Sequence, residues 1–205
     1  MDTTATARHP QDSPPASRRD QTRLRIIKGG ARAFAARGFE NTSVQSILDA
    51  AGVSRRTFYL HFSDKSAVLS AIYERSLKHL LACRHEAMKH PGSGIQRLVR
   101  AQAVYMDFVS TAGPIIRVIT SEALRPDGAL HGMRLAMHQQ IEDLYCAAFE
   151  EAEGRRLDPM VARSIILLSE SLTLHVLMQH PGDAAKLAHA SAILKTQVEQ
   201  LLAAD

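Results

Sequence analysis

The sequence has no tryptophan, two cysteines and 5% aromatic residues in 205 positions. Cys83 and Cys146 are far apart and form no CxxC pair, so a disulfide framework or a thiolate zinc site lacks its residues, and a reducing cytoplasm is the expected setting. No apolar run approaches the roughly 18 uninterrupted residues of a membrane span. Residues 1–20 hold Pro10, Pro14 and Pro15 among polar side chains, lack the apolar stretch of a secretory signal, and are expected to form a disordered arm. GxSxG, P-loop and GxGxxG motifs are also missing, and acidic pairs such as Glu150 and Glu151 read as helix surface, so no catalysis is expected. Ten histidines are present, but without HExxH, and without a second pair to join Cys83 and His85, they define no metal site. Neither a metal nor a cofactor is expected.

What is present is helical. Apolar residues make up 45%, enough for a substantial core, and Ala and Leu abound while no segment alternates as a strand would. Charge is uneven: residues 1–65 hold 11 Lys and Arg against 6 Asp and Glu, and the remainder 14 against 15. A basic first third on a near-neutral remainder fits a polyanion-binding module joined to a second unit with different work, although charge alone fits a solvated face equally well.

Periodicity and caps predict an all-α protein of about nine helices. Leu24, Ile27, Ala31, Phe34 and Ala35 line a first helix over about 22–37, which Gly38 ends. Thr42 and Ser43 start a short second helix ending at Gly52, Ser54 caps a third over about 55–61, and Ser63 or Asp64 starts a long fourth to about residue 89. Pro91 to Gly94 breaks the chain. Helices follow over about 95–111, 114–124, 130–153, 159–179 and 184–203, with Asp158 and Pro159 as an N-cap and N1 pair.

Residues 42–62 read TSVQSILDAAGVSRRTFYLHF, two short helices joined by a tight turn at Ala51, Gly52 and Val53. This is helix-turn-helix grammar: small residues where the helices meet, Ile47, Leu48, Val53 and Phe58 packing inward, and a polar outer face on the second helix for the DNA major groove. Arg55, Arg56, Tyr59 and Thr57 project away from Phe58, and arginine is the side chain best suited to a bidentate bond with guanine.

AFAARGFENTS at the end of the first helix, followed by VQSILDAAGVSRRTFYLHFSDKSAVL, resembles the N-terminal signature of the TetR family of bacterial transcriptional regulators over about residues 22–72, a quarter of the chain. The resemblance implies an N-terminal three-helix DNA-binding domain (21–66), joined by a long fourth helix to a helical effector-binding and dimerisation domain (67–205). It implies that Thr42 and Ser43 meet the DNA backbone, that Gln45 reaches a base, and that Arg55, Arg56, Thr57 and Tyr59 are recognition-helix readers. His61 and Lys65 match phosphate contacts. Thr42 and Ser43 serve equally well as plain caps. Gln45 departs from a frequent arginine, and Leu60 from a frequent aromatic or polar residue. Arg18, Arg19, Arg23 and Arg25 read as a solvated tail rather than as phosphate contacts.

For the remainder, Tyr105, Phe108, Met133, Met137, His138, Tyr145, His175 and Met178 are candidates for an effector pocket, each with ordinary core packing as the default. Glu170, His138, His175 and Arg117 become informative if buried. The last two helices carry more apolar surface than one face can use, which points to a homodimer through them, as in relatives of this family. The expected function is that of a dimeric, ligand-responsive repressor reading a palindromic operator on double-stranded DNA, with an unknown small-molecule effector and no membrane partner. The alternative is a helical ligand-binding or protein-interaction module without specific DNA binding.

Overall fold

A computed structural model describes residues 17–204, which form nine helices and, among the described residues, no strand. They are α1 (Arg18–Arg37), α2 (Val44–Ala51), α3 (Arg55–Tyr59), α4 (Lys65–Lys89), α5 (Gly94–Thr111), α6 (Ile115–Leu124), α7 (His131–Glu153), α8 (Pro159–Gln179) and α9 (Ala184–Ala204). The expected boundaries hold because the caps form as read. Ser43, Ser54 and Asp64 accept the backbone N–H groups of Ser46, Thr57 and Ala67, and Gly52 and Gly154 end α2 and α7 in the left-handed conformation.

Two expectations need correction. Most of the expected arm lies outside the described residues, but residues 18–20 are the first turn of α1. Ser17 and Asp20 cap it reciprocally, each side chain accepting the other's backbone N–H. The inward face of α1 is also shifted: Ile26, Ile27, Ala33 and Phe34 are buried, whereas Leu24, Ala31 and Ala35 are half-buried. Gly29 and Gly30 explain the shift. A Cβ on Gly29 would lie 2.7 Å from the Ala51 Cβ, and one on Gly30 2.5 Å from Val68 Cγ1, so α2 and α4 come close to α1 only because this face has no side chains there.

The core forms two clusters. One joins Ile26, Phe34, Ile47 and Phe58 to the start of α4 and continues into Val109, Ile116 and Ile119 of α5 and α6. The other holds Leu98, Tyr145, Phe149 and Ile165 with Val198 and Leu202 of α9. Helix α4 contributes to both, and α6 packs on α1 as well as on α7 and α8. By length and composition, α8 is apolar enough to cross a membrane. It nevertheless carries Arg163 and Glu170, which pair with Glu142 and Arg134 of α7, and lays one side on the core.

Candidate nucleic-acid interface and ligand cavity

Phe58 and Phe62 are buried, and with the short α3 pinned from behind, Arg55, Arg56 and Tyr59 face outward. Tyr59 is 51% exposed and packs edge-on against Phe58, 5.3 Å between ring centres, which fixes the ring while leaving its hydroxyl in solvent. Arg55 Nη2 donates to Gln45 Oε1 at 3.3 Å, and Gln45 Nε2 donates to Asp49 Oδ1 at 2.8 Å. The outer faces of α2 and α3 are therefore joined by a polar chain. Arg56 has no hydrogen-bond or ion-pair partner among the described residues. Thr57 is half-buried with its hydroxyl 2.8 Å from Ser54 Oγ, His61 is half-buried, and Ser43 is the exposed cap of α2.

Two of the expected DNA contacts are occupied by the protein itself. Thr42 is 2% exposed, and its hydroxyl donates to the carbonyls of Gly38 (2.6 Å) and Ala33 (3.2 Å), so it closes the α1–α2 turn instead of meeting a phosphate. Lys65 Nζ donates to the carbonyls of Phe39 (2.9 Å) and Glu40 (3.0 Å) and lies 4.5 Å over the Phe39 ring. Its ammonium has three donors, and two of them staple α4 to the α1–α2 turn. Of the four arginines read as a solvated tail, Arg18 and Arg19 are exposed, whereas Arg23 and Arg25 are engaged by the protein. Arg25 and Arg32 donate to the carbonyls of Gly52 and Ala50 at the C-terminal end of α2, where cations complement the helix dipole, and Arg23 stacks on Phe62.

In the helical domain α4, α5, α6, α7 and α8 line a cavity of about 70 Å³. Of the eight pocket candidates, Tyr105, Phe108, Met137 and His138 line it. The other four candidates do not. Met133 packs in the first core cluster, Tyr145 is fully buried behind the wall, and His175 and Met178 are exposed on α8. The error on α8 follows from its sequence, apolar on several faces, so that spacing could not tell inside from outside. Arg117 is likewise exposed.

The polar wall holds two arrangements. Arg134 Nε donates to both Glu170 oxygens, at 2.8 and 3.0 Å, and His138 Nε2 lies 3.4 Å from Glu170 Oε2. Burial alone would raise the Glu170 pKa, but hydrogen bonds from Arg134 and His138 outweigh it and hold the carboxyl at about 2. The second arrangement is Arg84, which sequence reasoning missed. It is 3% exposed, lines the cavity, and neither Nε nor Nη1 has a hydrogen-bond partner. The signal was there: Tyr73, Leu77, Leu80, Arg84 and Met88 fall on one stripe of α4, and a cation in an apolar stripe is placed inward by its neighbours.

Comparison with known proteins agrees with this geometry. Residues 26–72 match the family model for bacterial regulatory proteins, tetR family. The chain is 30% identical over 91 residues to the HTH-type transcriptional activator FasR of Mycolicibacterium smegmatis, covering 44% of this chain and 42% of that protein. It is 31% identical over 157 residues to the HTH-type transcriptional regulator TcmR of Streptomyces glaucescens, covering 73% and 63%. The chain thus spans about half the length of the curated relatives it matches. Among solved structures, FadR of Bacillus subtilis in complex with stearoyl-CoA superposes with a TM-score of 0.72 at 16% identity, covering 85% of this chain and 97% of that one. FadR of Bacillus halodurans gives 0.72 at 18%, covering 86% and 97%. At these identities the likeness is one of fold.

Proposed function

We propose, from the match of residues 26–72 to the tetR family model, that this chain is a TetR-family regulator: a dimeric, sequence-specific repressor whose DNA affinity is set by a small ligand in its helical domain. The observation that carries the reading is α3, which offers Arg55, Arg56 and Tyr59 to solvent while Phe58 anchors it from behind. Gln45, Ser43, Thr57 and His61 lie around this face, and the third donor of Lys65 is left for a backbone phosphate. A single short helix reads only a few base pairs, so specificity requires a second copy and a palindromic operator.

Exposed apolar residues on α8 and α9 support pairing through those helices. Leu167, Leu168 and Met178 are 44%, 38% and 47% exposed, and Ile193 of α9 is 38% exposed. Each is already more than half buried, so covering the remainder contributes about 1 kcal/mol apiece. The stearoyl-CoA bound by the Bacillus subtilis FadR neighbour supports a ligand in a helical domain of this shape. The route to the DNA face is short, since α4 lines the cavity and carries the cap of the reading domain, and Arg125 after α6 pairs with Glu40 of the α1–α2 turn at 2.9 Å. A ligand that favours one spacing of the two α3 helices over another would shift operator affinity by its differential binding. The setting is the cytoplasm.

The test is a gel-shift selection from random duplexes at fixed salt. A palindrome should be enriched, and Arg55→Ala or Arg56→Ala should each weaken it by about 1–3 kcal/mol with relaxed preference at one position per half-site. Absence of an enriched palindrome, or an Arg55→Ala/Arg56→Ala/Tyr59→Ala triple variant with unchanged affinity, rejects the reading in favour of a protein-interaction module. A reporter behind the selected operator gives the sign. Repression on expression, relieved by ligand, is expected; activation, as in the name of the FasR relative, would reverse that part.

A further inference from the structure

We infer that this cavity takes a small organic monocarboxylate whose acid group docks on Arg84, which names the ligand class for the effector reading above and rests on it. Arg84 is 97% buried by its 3% exposure and has no carboxylate partner among the described residues. Its guanidinium carbon lies 5.1 Å from the Tyr105 ring and 5.8 Å from the Tyr145 ring. Such π faces attract a cation without neutralising it, and a buried ion without a counter-charge remains costly. Burial raises both phenols, Tyr105 to about 12, so neither supplies a counter-charge at neutral pH. The carboxylate in the wall, Glu170, is already held by Arg134 and His138.

Two more groups point the same way. The Tyr145 hydroxyl is buried without a hydrogen-bond partner, and so are both amide atoms of Gln102, one turn before Tyr105 on α5. Buried donors and acceptors are rarely left unpaired; neither residue lines the cavity, but the Tyr145 ring faces the Arg84 guanidinium, which does. Of the heads that could reach Arg84, an anion is the one that matches its guanidinium. The remaining wall is largely apolar, with Leu77, Leu80, Ile119, Ile141 and Ile166, so the body of the ligand is hydrocarbon. The space is about 70 Å³, under half of the roughly 150 Å³ that accepts benzene, which favours a compact acid over a long acyl thioester.

The full chain is titrated by calorimetry and thermal shift with the sodium salts of straight and branched aliphatic acids of three to five carbons, each beside its primary amide. At least one acid should bind about tenfold or more tighter than its amide. Arg84→Met should erase that difference, while Arg84→Lys keeps part of it. Because methionine removes an unpaired buried charge at similar volume, Arg84→Met should also raise the ligand-free unfolding midpoint, by about 2 °C or more. The inference is overturned if no acid binds at millimolar concentration, if acids and amides bind alike, or if Arg84→Met keeps the acid preference. A lowered midpoint with that preference retained would make Arg84 a structural cation held by its two rings. These titrations contain no DNA, so a negative result leaves operator recognition standing, and a failed operator selection leaves them readable.

Discussion

The reading domain and the helical domain handle their buried polar groups in opposite ways. Around α1, α2 and the start of α4, buried Thr42, half-buried Lys65 and the exposed Arg25 and Arg32 all close on carbonyls of the same domain. Thr42 closes on Gly38, Lys65 on Phe39 and Glu40, and Arg25 and Arg32 on the end of α2. In the helical domain, Arg84 in the cavity wall and Gln102 and Tyr145 outside it are buried with atoms left unpaired. A domain that presents a fixed helix to DNA gains from internal closure, because rigidity keeps the reading side chains in register. A domain that responds to a ligand needs groups whose satisfaction depends on that ligand. Ser169, which closes on the Ile165 carbonyl, and the Arg134–Glu170 pair depart from this within the cavity wall, the pair being the charged exception.

The largest test of this contrast is that exception. Glu170→Gln leaves Arg134 without its counter-charge and should destabilise the fold by about 3 kcal/mol, read by denaturant unfolding. The folded pKa lies below the ordinary carboxylate value, so the pair's contribution should be complete above about pH 4.5 and disappear as the pH falls toward 2, a fall absent in Glu170→Gln. A smaller effect comes from closeness itself. Gly29→Ala improves helix propensity yet places a methyl group against Ala51, and the net loss should be about 1–3 kcal/mol with a lowered melting temperature.

Lys65 gives a sharper case. If it acted only on DNA, Lys65→Ala would weaken all duplexes alike and flatten the salt dependence while leaving stability unchanged. With two bonds to the α1–α2 turn, the variant should also lose about 1.5 kcal/mol of folding stability, and an unaltered unfolding curve would remove the staple from the argument. Smallest is Thr42→Val, which keeps shape and deletes a donor. About 1 kcal/mol of stability should go, with operator affinity of the folded fraction unchanged. Reduced affinity at full folding would return Thr42 to the DNA face.

Local chemistry made most of the fold legible. Serine and aspartate caps, left-handed glycines and the Asp158–Pro159 start are decided within a few residues, so α2, α3, α4 and α8 begin where their sequences say. The outward face of α3 was legible too, because Phe58 and Phe62 fix what lies inside. The rest depends on neighbours distant in sequence. Lys65 is engaged by carbonyls 26 and 25 positions earlier, and Thr42 by one nine positions earlier, which no local pattern carries. Arg84 was overlooked because arginine is ordinarily exposed, although its stripe on α4 placed it inside. His175 and Met178 were assigned inward because α8 is apolar around most of its circumference.

One consequence follows from the length of α4. It has 25 residues, so at about 1.5 Å per residue it is a rod of about 37 Å, with Asp64 and Lys65 at one end and Arg84 about 28 Å along it. Leverage then favours the far tip: pivoting such a rod by only about 5° at the arginine swings the lysine through about 2.5 Å, close to the span of one hydrogen bond.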